Sequence, residues 1–156
     1  MSRIGVISDT HGLLRPEALE FLKGSDSIIH CGDICDPKVI AALSRIAPVM
    51  AVRGNNDTGA WTQNLPEADL LVFGEIHVYV LHDLSQLDID PVAAGVSVVL
   101  SGHSHKPHLE SRDGVIFLNP GSAGPRRFTL PVSVAELIIE GRSVMPRLVE
   151  LEARGS

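Results

Sequence analysis

The residues of this sequence most able to do chemistry are its 7 histidines, at positions 11, 30, 77, 82, 103, 105 and 108. Several stand beside carboxylates or amides in short polar stretches. The polar stretches are Ser8-Asp9-Thr10-His11-Gly12, His30-Cys31-Gly32-Asp33, Arg53-Gly54-Asn55-Asn56-Asp57, which carries amides and a carboxylate without a histidine, and Ser101-Gly102-His103-Ser104-His105. Asp9 and His11 are two apart, as are His103 and His105; on an extended segment that spacing turns both side chains toward one point. With Asp33, Asn55 and His82 the set comprises two carboxylates, four imidazoles and one carboxamide. Such a mixed nitrogen and oxygen environment, without thiolate, suits Mn²⁺, Fe²⁺, Ni²⁺ or Zn²⁺. Seven ligands exceed the need of one small cation. Shared between two ions, with one carboxylate bridging, they suffice, and two ions about 3.5–4 Å apart can clamp both ends of an in-line displacement at phosphorus.

Each polar stretch follows a short apolar run: Ile4-Gly5-Val6-Ile7, Ser27-Ile28-Ile29, Val49-Met50-Ala51-Val52 and Ser97-Val98-Val99-Leu100. Runs this short, rich in β-branched residues and bounded by Gly and Asp, read as buried strands. Helical patterns separate the first three. Residues 16–23 carry Leu19, Phe21 and Leu22 behind a first-turn proline, with Gly24 to end the helix. Asp36-Pro37 supplies an N-cap and a proline at N1, and Val39, Ile40, Leu43 and Ile46 repeat at helical spacing. Strand and helix alternating in this way predict parallel strands with right-handed crossovers. Ligands of such sheets bind beyond the carboxyl ends of the strands, where the polar stretches fall. Residues 58–69 read as loop, 70–73 and 76–81 as a hairpin. Residues 84–95 are ambiguous, with Asp90-Pro91 opening a short helix. Beyond residue 114 the chain is mainly β, at 115–118, 132–139 and 144–151.

A length of 156 residues fits one domain over 1–156. The 13 Lys and Arg against 19 Asp and Glu give a net charge of −6, which argues against stable nucleic-acid binding. The 44% hydrophobic content fits a folded domain. No apolar run reaches the ~20 residues of a membrane span. The first residues enter a strand pattern at once, which predicts no signal peptide. The only cysteines, Cys31 and Cys35, fit a reducing cytoplasm and read as buried, inert thiols.

Asp9-x-His11, Gly32-Asp33-x-x-Asp36, Gly54-Asn55-x-Asp57, His82 and Gly102-His103-Ser104-His105 together resemble the calcineurin-like metallophosphoesterases, and within them the small YfcE-type phosphodiesterases. The resemblance runs from Ile4 to about Arg126. It implies a mixed α/β (α+β) fold, a four-layer α/β/β/α sandwich with a dinuclear site at the strand ends. It implies a first ion on Asp9, His11, Asp33 and His105, and a second on Asp33, Asn55, His82 and His103, with Asp33 bridging. Mn²⁺ is the first expectation, with Ni²⁺, Fe²⁺ and Zn²⁺ compatible. It further implies a metal-dependent phosphoesterase, foremost a phosphodiesterase, in which a metal-bridging hydroxide attacks phosphorus. The alternatives are a phosphomonoesterase or nucleotidase, or a scaffold that keeps the fold without catalysis. Asn55, Asp57 and His82 are the catalytic candidates; Arg126 and His108 are candidate contacts to a small phosphoester substrate. Homo-oligomers occur among relatives. Two departures stand out. Large phosphatases of the superfamily have His where Asn56 stands, so this chain lacks that acid for the leaving group and favours aryl oxides. After His82 the family commonly has Gly; here it is Asp83.

Taken singly, each stretch has an ordinary reading: a capping Asp, a loop N-cap or a turn. Joint occurrence at successive strand ends favours the metal reading. His30 and His77 read as structural or surface residues. Asn119-Pro120-Gly121-Ser122 reads as a rigid turn beneath the site.

Overall fold

The computed structural model describes residues 1–127 and 129–152; Phe128 and residues 153–156, at the end of the expected domain, lie outside the described residues. The chain forms β1 (Ser2–Ile7), α1 (Pro16–Leu22), β2 (Ser27–His30), α2 (Pro37–Ser44), β3 (Val49–Ala51), β4 (Ala68–Phe73), β5 (Ile76–Leu81), β6 (Val98–Leu100), β7 (His108–Arg112), β8 (Val115–Asn119), β9 (Ser133–Glu140) and β10 (Ser143–Glu150). Two five-stranded sheets result, ordered β10-β9-β1-β2-β3 and β4-β5-β6-β8-β7. Within the first, β1, β2 and β3 run parallel. Within the second, β5, β6 and β8 do. The two parallel trios therefore deliver six carboxyl ends, and the loops that leave them carry every polar stretch.

Strand alternation builds the layers. Ile4 and Val6 of β1 face the core between the sheets, together with Ile29, Val78, Val80, Val98, Leu100 and Leu137. Ile7 and Ile28 face the other way, onto Ala18 and Leu22 of α1 and Val39 and Leu43 of α2. Proline occupies the first turn of both helices, and the Asp36 carboxylate caps α2 by accepting from Lys38 N at 2.9 Å. The expected mixed α/β sandwich is present. Its outer layer over the second sheet is thin: Leu84, Leu87 and Ile89, around a 3₁₀ turn at Leu84–Gln86, cover Val99 and Phe117.

Two local expectations change, and one strand was not expected. Asp90 does form the capping bond, accepting from Val92 N at 3.1 Å, but residues 91–95 make only turns. No apolar stripe follows to carry a helix onward, and Gly95 at φ 72° ends the turn. The stretch 58–69 is not all loop, because Ala60–Thr62 forms a 3₁₀ turn and β4 begins at Ala68. Polar His108–Arg112 forms edge strand β7 against β8; the Asp113-Gly114 turn, both residues at positive φ, is a signal that could have marked it. Among the described residues no helix is long and apolar enough to cross a membrane.

Candidate metal centre

The loop after β1 lies against the loop after β2. Asp9 N donates to Gly32 O at 3.0 Å, His11 N to Asp33 O at 2.9 Å and Gly12 N to Ile34 O at 2.8 Å. The loop after β6 joins through Gly102 N to His82 O at 2.8 Å and His103 N to the Asp9 carboxylate at 3.1 Å. Close approach explains two motif glycines. A Cβ at Gly54 would collide with Asp33, and one at Gly102 with Ser8 Oγ and Asp9.

The aiming of the side chains corrects the extended-segment expectation. Asp9, His11, Asp33, His103 and His105 have φ of 54°, 46°, 56°, 72° and 63°. Left-handed backbone costs an L residue about 1–2 kcal/mol, and such strain clusters at functional sites. Asp9 and His11 converge because their loop twists, not because a strand alternates.

All seven expected ligands come together. Asp9 Oδ1 lies 3.8 Å from His11 Nε2 and 3.4 Å from His105 Nε2, and those two nitrogens are 3.2 Å apart. Asp33 Oδ2 lies 3.3 Å from His82 Nε2 and 3.7 Å from His11 Nε2, between the two halves. Asn55 Oδ1 stands 3.1 Å from His82 Nε2 and 3.2 Å from His103 Nδ1. Asp9, His11 and His105 form one group with metal-ligand spacing and Asp9, Asp33 and His82 another, so Asp9 as well as Asp33 reaches both halves.

The donor set fits cations. Asp9 is fully buried, and its Oδ2 accepts from Ser8 Oγ at 2.6 Å. Its Oδ1 is buried with no hydrogen-bond partner among the described residues. A buried carboxylate oxygen in that state is costly unless a cation meets it. His82 Nδ1 donates to Cys31 O at 2.7 Å, which makes Nε2 the ring nitrogen that faces Asp33 and the rest of the cluster.

Burial pushes Asp33 upward, but hydrogen bonds from His82 and Asn56 outweigh it and hold the carboxyl below the usual range. Burial lowers His82, yet its bonds to Asp33 and the Cys31 carbonyl raise it overall. His105 is lowered, by burial first and then by the nearby Arg127 and His11 charges against the pull of Asp9.

Other expected residues sit differently. Asp57, a catalytic candidate from sequence, is a positioning residue. It is 1% exposed, Oδ2 accepts from Asp33 N at 3.0 Å and Gly54 N at 2.8 Å, and Oδ1 accepts from Cys35 N at 2.8 Å. Cys35 is exposed rather than buried, because φ of 67° turns its Sγ to 3.7 Å from His11 Nδ1. Partial desolvation, and then the carboxylates of Asp57, Asp33 and Asp9, push its thiol up to about 11. Cys31 is buried as expected. Buried His30 holds Thr10 Oγ1 at 3.0 Å and accepts from Gly32 N at 3.1 Å, outside the ligand cluster. Arg126 is exposed, and it is the Arg127 charge that acts on His105. His108 is exposed on β7 with its Nε2 3.1 Å from Glu110 Oε2.

The sequence reading missed the supporting amides and hydroxyls. Asn56 donates to both Asp33 oxygens, from N at 2.9 Å and Nδ2 at 3.0 Å. Asn119 Nδ2 donates to Gly102 O at 2.9 Å, and Ser122 Oγ to Asp9 O at 2.9 Å. The Asn119-Pro120-Gly121-Ser122 stretch was the only signal for the last two.

A cleft of about 570 Å³ opens from Asn55, His82 and His103 toward Arg53, Tyr79 and Asp88. A smaller one of about 270 Å³ runs from His103 past Lys106 and His108.

Residues 2–142 match the Calcineurin-like phosphoesterase superfamily domain. The chain belongs to that superfamily. A probable metallophosphoesterase of Methanocaldococcus jannaschii is 35% identical, over 96% of this chain and 81% of the relative. A phosphodiesterase of the same organism is 28% identical, over 76% of this chain and 82% of its own length. Among solved structures, wild-type Vps29 from Entamoeba histolytica complexed with Zn²⁺ superposes with a TM-score of 0.76 at 24% identity, covering 95% of this chain and 98% of that one. That likeness concerns the fold. As a superfamily member the chain is a metallophosphoesterase homologue with candidate ligands for divalent metal in place.

Proposed function

We propose that this chain is a phosphodiesterase working with two divalent ions, Mn²⁺ foremost, held at the strand ends of one domain over 1–156. The reading rests on one observation: Asp33 Oδ2 stands between His11 Nε2 at 3.7 Å and His82 Nε2 at 3.3 Å, with the other four expected ligands disposed around them. Asp9, His11, His105 and Asp33 would hold one ion; Asp33, Asn55, His82 and His103 the other. When bound, such a pair supplies an activated water and stabilises charge on the phosphoryl oxygens.

The protein's own groups do the rest. Asn55 offers a neutral carbonyl oxygen, so the ligand set itself holds no third carboxylate. Asn56 is committed to Asp33 and has no proton to give a leaving group at ordinary pH. Esters with acidic leaving groups, which need no proton, should react fastest. The phosphodiesterase among the relatives agrees with a diester substrate. The likeness to Vps29 keeps a non-catalytic scaffold as the rival, and the complete ligand set weighs against it.

The test is hydrolysis of bis-p-nitrophenyl phosphate and p-nitrophenyl phosphate by the Mn²⁺-loaded protein. Faster turnover of the diester, abolished in His103→Ala with the fold retained, is expected. Metal binding without activity on either ester would favour the scaffold.

A further inference from the structure

Asp83 belongs to no ligand set, yet it stands at the mouth of the centre. The two clefts share only two lining residues, Asp83 and His103. The Asp83 carboxylate is fixed: Oδ1 accepts from Ser85 N at 3.0 Å and Ser85 Oγ at 2.8 Å, starting the 3₁₀ turn. Oδ2 faces His103 Nε2 at 3.8 Å, and that is its one ion pair among the described residues. Arg53 lines only the larger cleft and Lys106 only the smaller, while Glu67 and Asp88 add negative charge to the larger.

We propose that Asp83 is a specificity-determining residue that selects monoanionic phosphodiesters over dianionic phosphomonoesters by charge. The inference deepens the phosphodiesterase reading above and rests on it. An anion entering by either cleft passes a carboxylate that both Ser85 donors hold in place through Oδ1. A diester carries one charge against that carboxylate and a monoester carries two. One unit charge on the order of 8 Å from another, at an exposed effective dielectric of about 40–80, alters affinity about two- to sixfold. The penalty therefore enters once for the diester and twice for the monoester. Salt weakens it, since the carboxylate is partly exposed.

Asp83→Asn tests this directly, because Asn keeps the cap on Ser85 and loses only the charge. With Mn²⁺-loaded protein at pH 8, kcat/KM for bis-p-nitrophenyl phosphate should rise about two- to sixfold, and that for p-nitrophenyl phosphate by about the square of that factor. Calorimetry gives a readout independent of turnover: inorganic phosphate should gain more affinity than dimethyl phosphate in the variant. Raising ionic strength should narrow the difference in the wild type. An unchanged diester-to-monoester ratio would overturn the inference and leave the phosphodiesterase reading intact. Equal losses on both esters with weakened Mn²⁺ binding would also overturn it, making Asp83 an anchor for His103. If the wild type hydrolyses neither ester, the phosphodiesterase reading falls, and the calorimetric ratio still decides whether Asp83 selects by charge. Asp83→Ser, which also caps, repeats the test without an amide.

Discussion

Replacing Asp57 with Asn should loosen the centre without touching a ligand. The native carboxylate gathers N–H groups from two loops: Asp33 N and Gly54 N on Oδ2, Cys35 N on Oδ1. In Asp57→Asn one oxygen remains, and the amide –NH₂ is set against one of those N–H groups. Hydrogen bonds to a charged group contribute about 1.5–3 kcal/mol and neutral ones about 0.5–1.5 kcal/mol. Losing one bond and weakening two should therefore cost about 3–5 kcal/mol. Against a total stability of about 5–15 kcal/mol, that is a large fraction. Urea denaturation of the metal-free protein followed by circular dichroism reads it directly. Because Asp33 N is one of the three donors, calorimetric Mn²⁺ affinity should also fall, about 10–100-fold, as for other outer-shell changes. A stability loss under about 1 kcal/mol with Mn²⁺ affinity unchanged would refute the role assigned to Asp57.

Gly54→Ala and Gly102→Ala should each weaken Mn²⁺ binding at least tenfold, since the new Cβ displaces Asp33 in one case and Ser8 and Asp9 in the other; titration calorimetry with native affinity in either variant would contradict the close-approach argument. Stability of the metal-free protein should fall below about pH 6.5. Burial, chiefly, pushes His30 down to about 3, so below 6.5 the unfolded imidazole binds a proton that the folded one refuses. The slope is at most about 1.4 kcal/mol per pH unit, and in His30→Gln it should shrink between pH 6.5 and 5; identical slopes in the two proteins would assign that dependence elsewhere.

The strand-end positions of the candidate ligands were legible because the apolar runs and the Asp36-Pro37 cap specify parallel strands, and parallel strands release their loops at one edge. Residue type did the rest at Asp9, His11, Asp33, Asn55, His82, His103 and His105. What was not legible depends on contacts between distant segments. Nothing near Asn56 or Asp57 in sequence indicates that each serves Asp33, 23 or 24 residues away. Left-handed φ at Asp9 and Cys35 follows from loop-on-loop hydrogen bonding rather than from local preference, so it reversed the expected burial of Cys35 and the expected extended path past Asp9. Strand β7 went unexpected because it carries a polar sequence at an exposed sheet edge, where only its turn could have signalled it.

A crystal structure of the Mn²⁺-soaked protein, with data at the manganese absorption edge, addresses the central claim most directly. Two anomalous peaks about 3.5–4 Å apart, with the Asp33 carboxylate bridging them, are predicted. A single peak, or two that share no Asp33 oxygen, would contradict the dinuclear account.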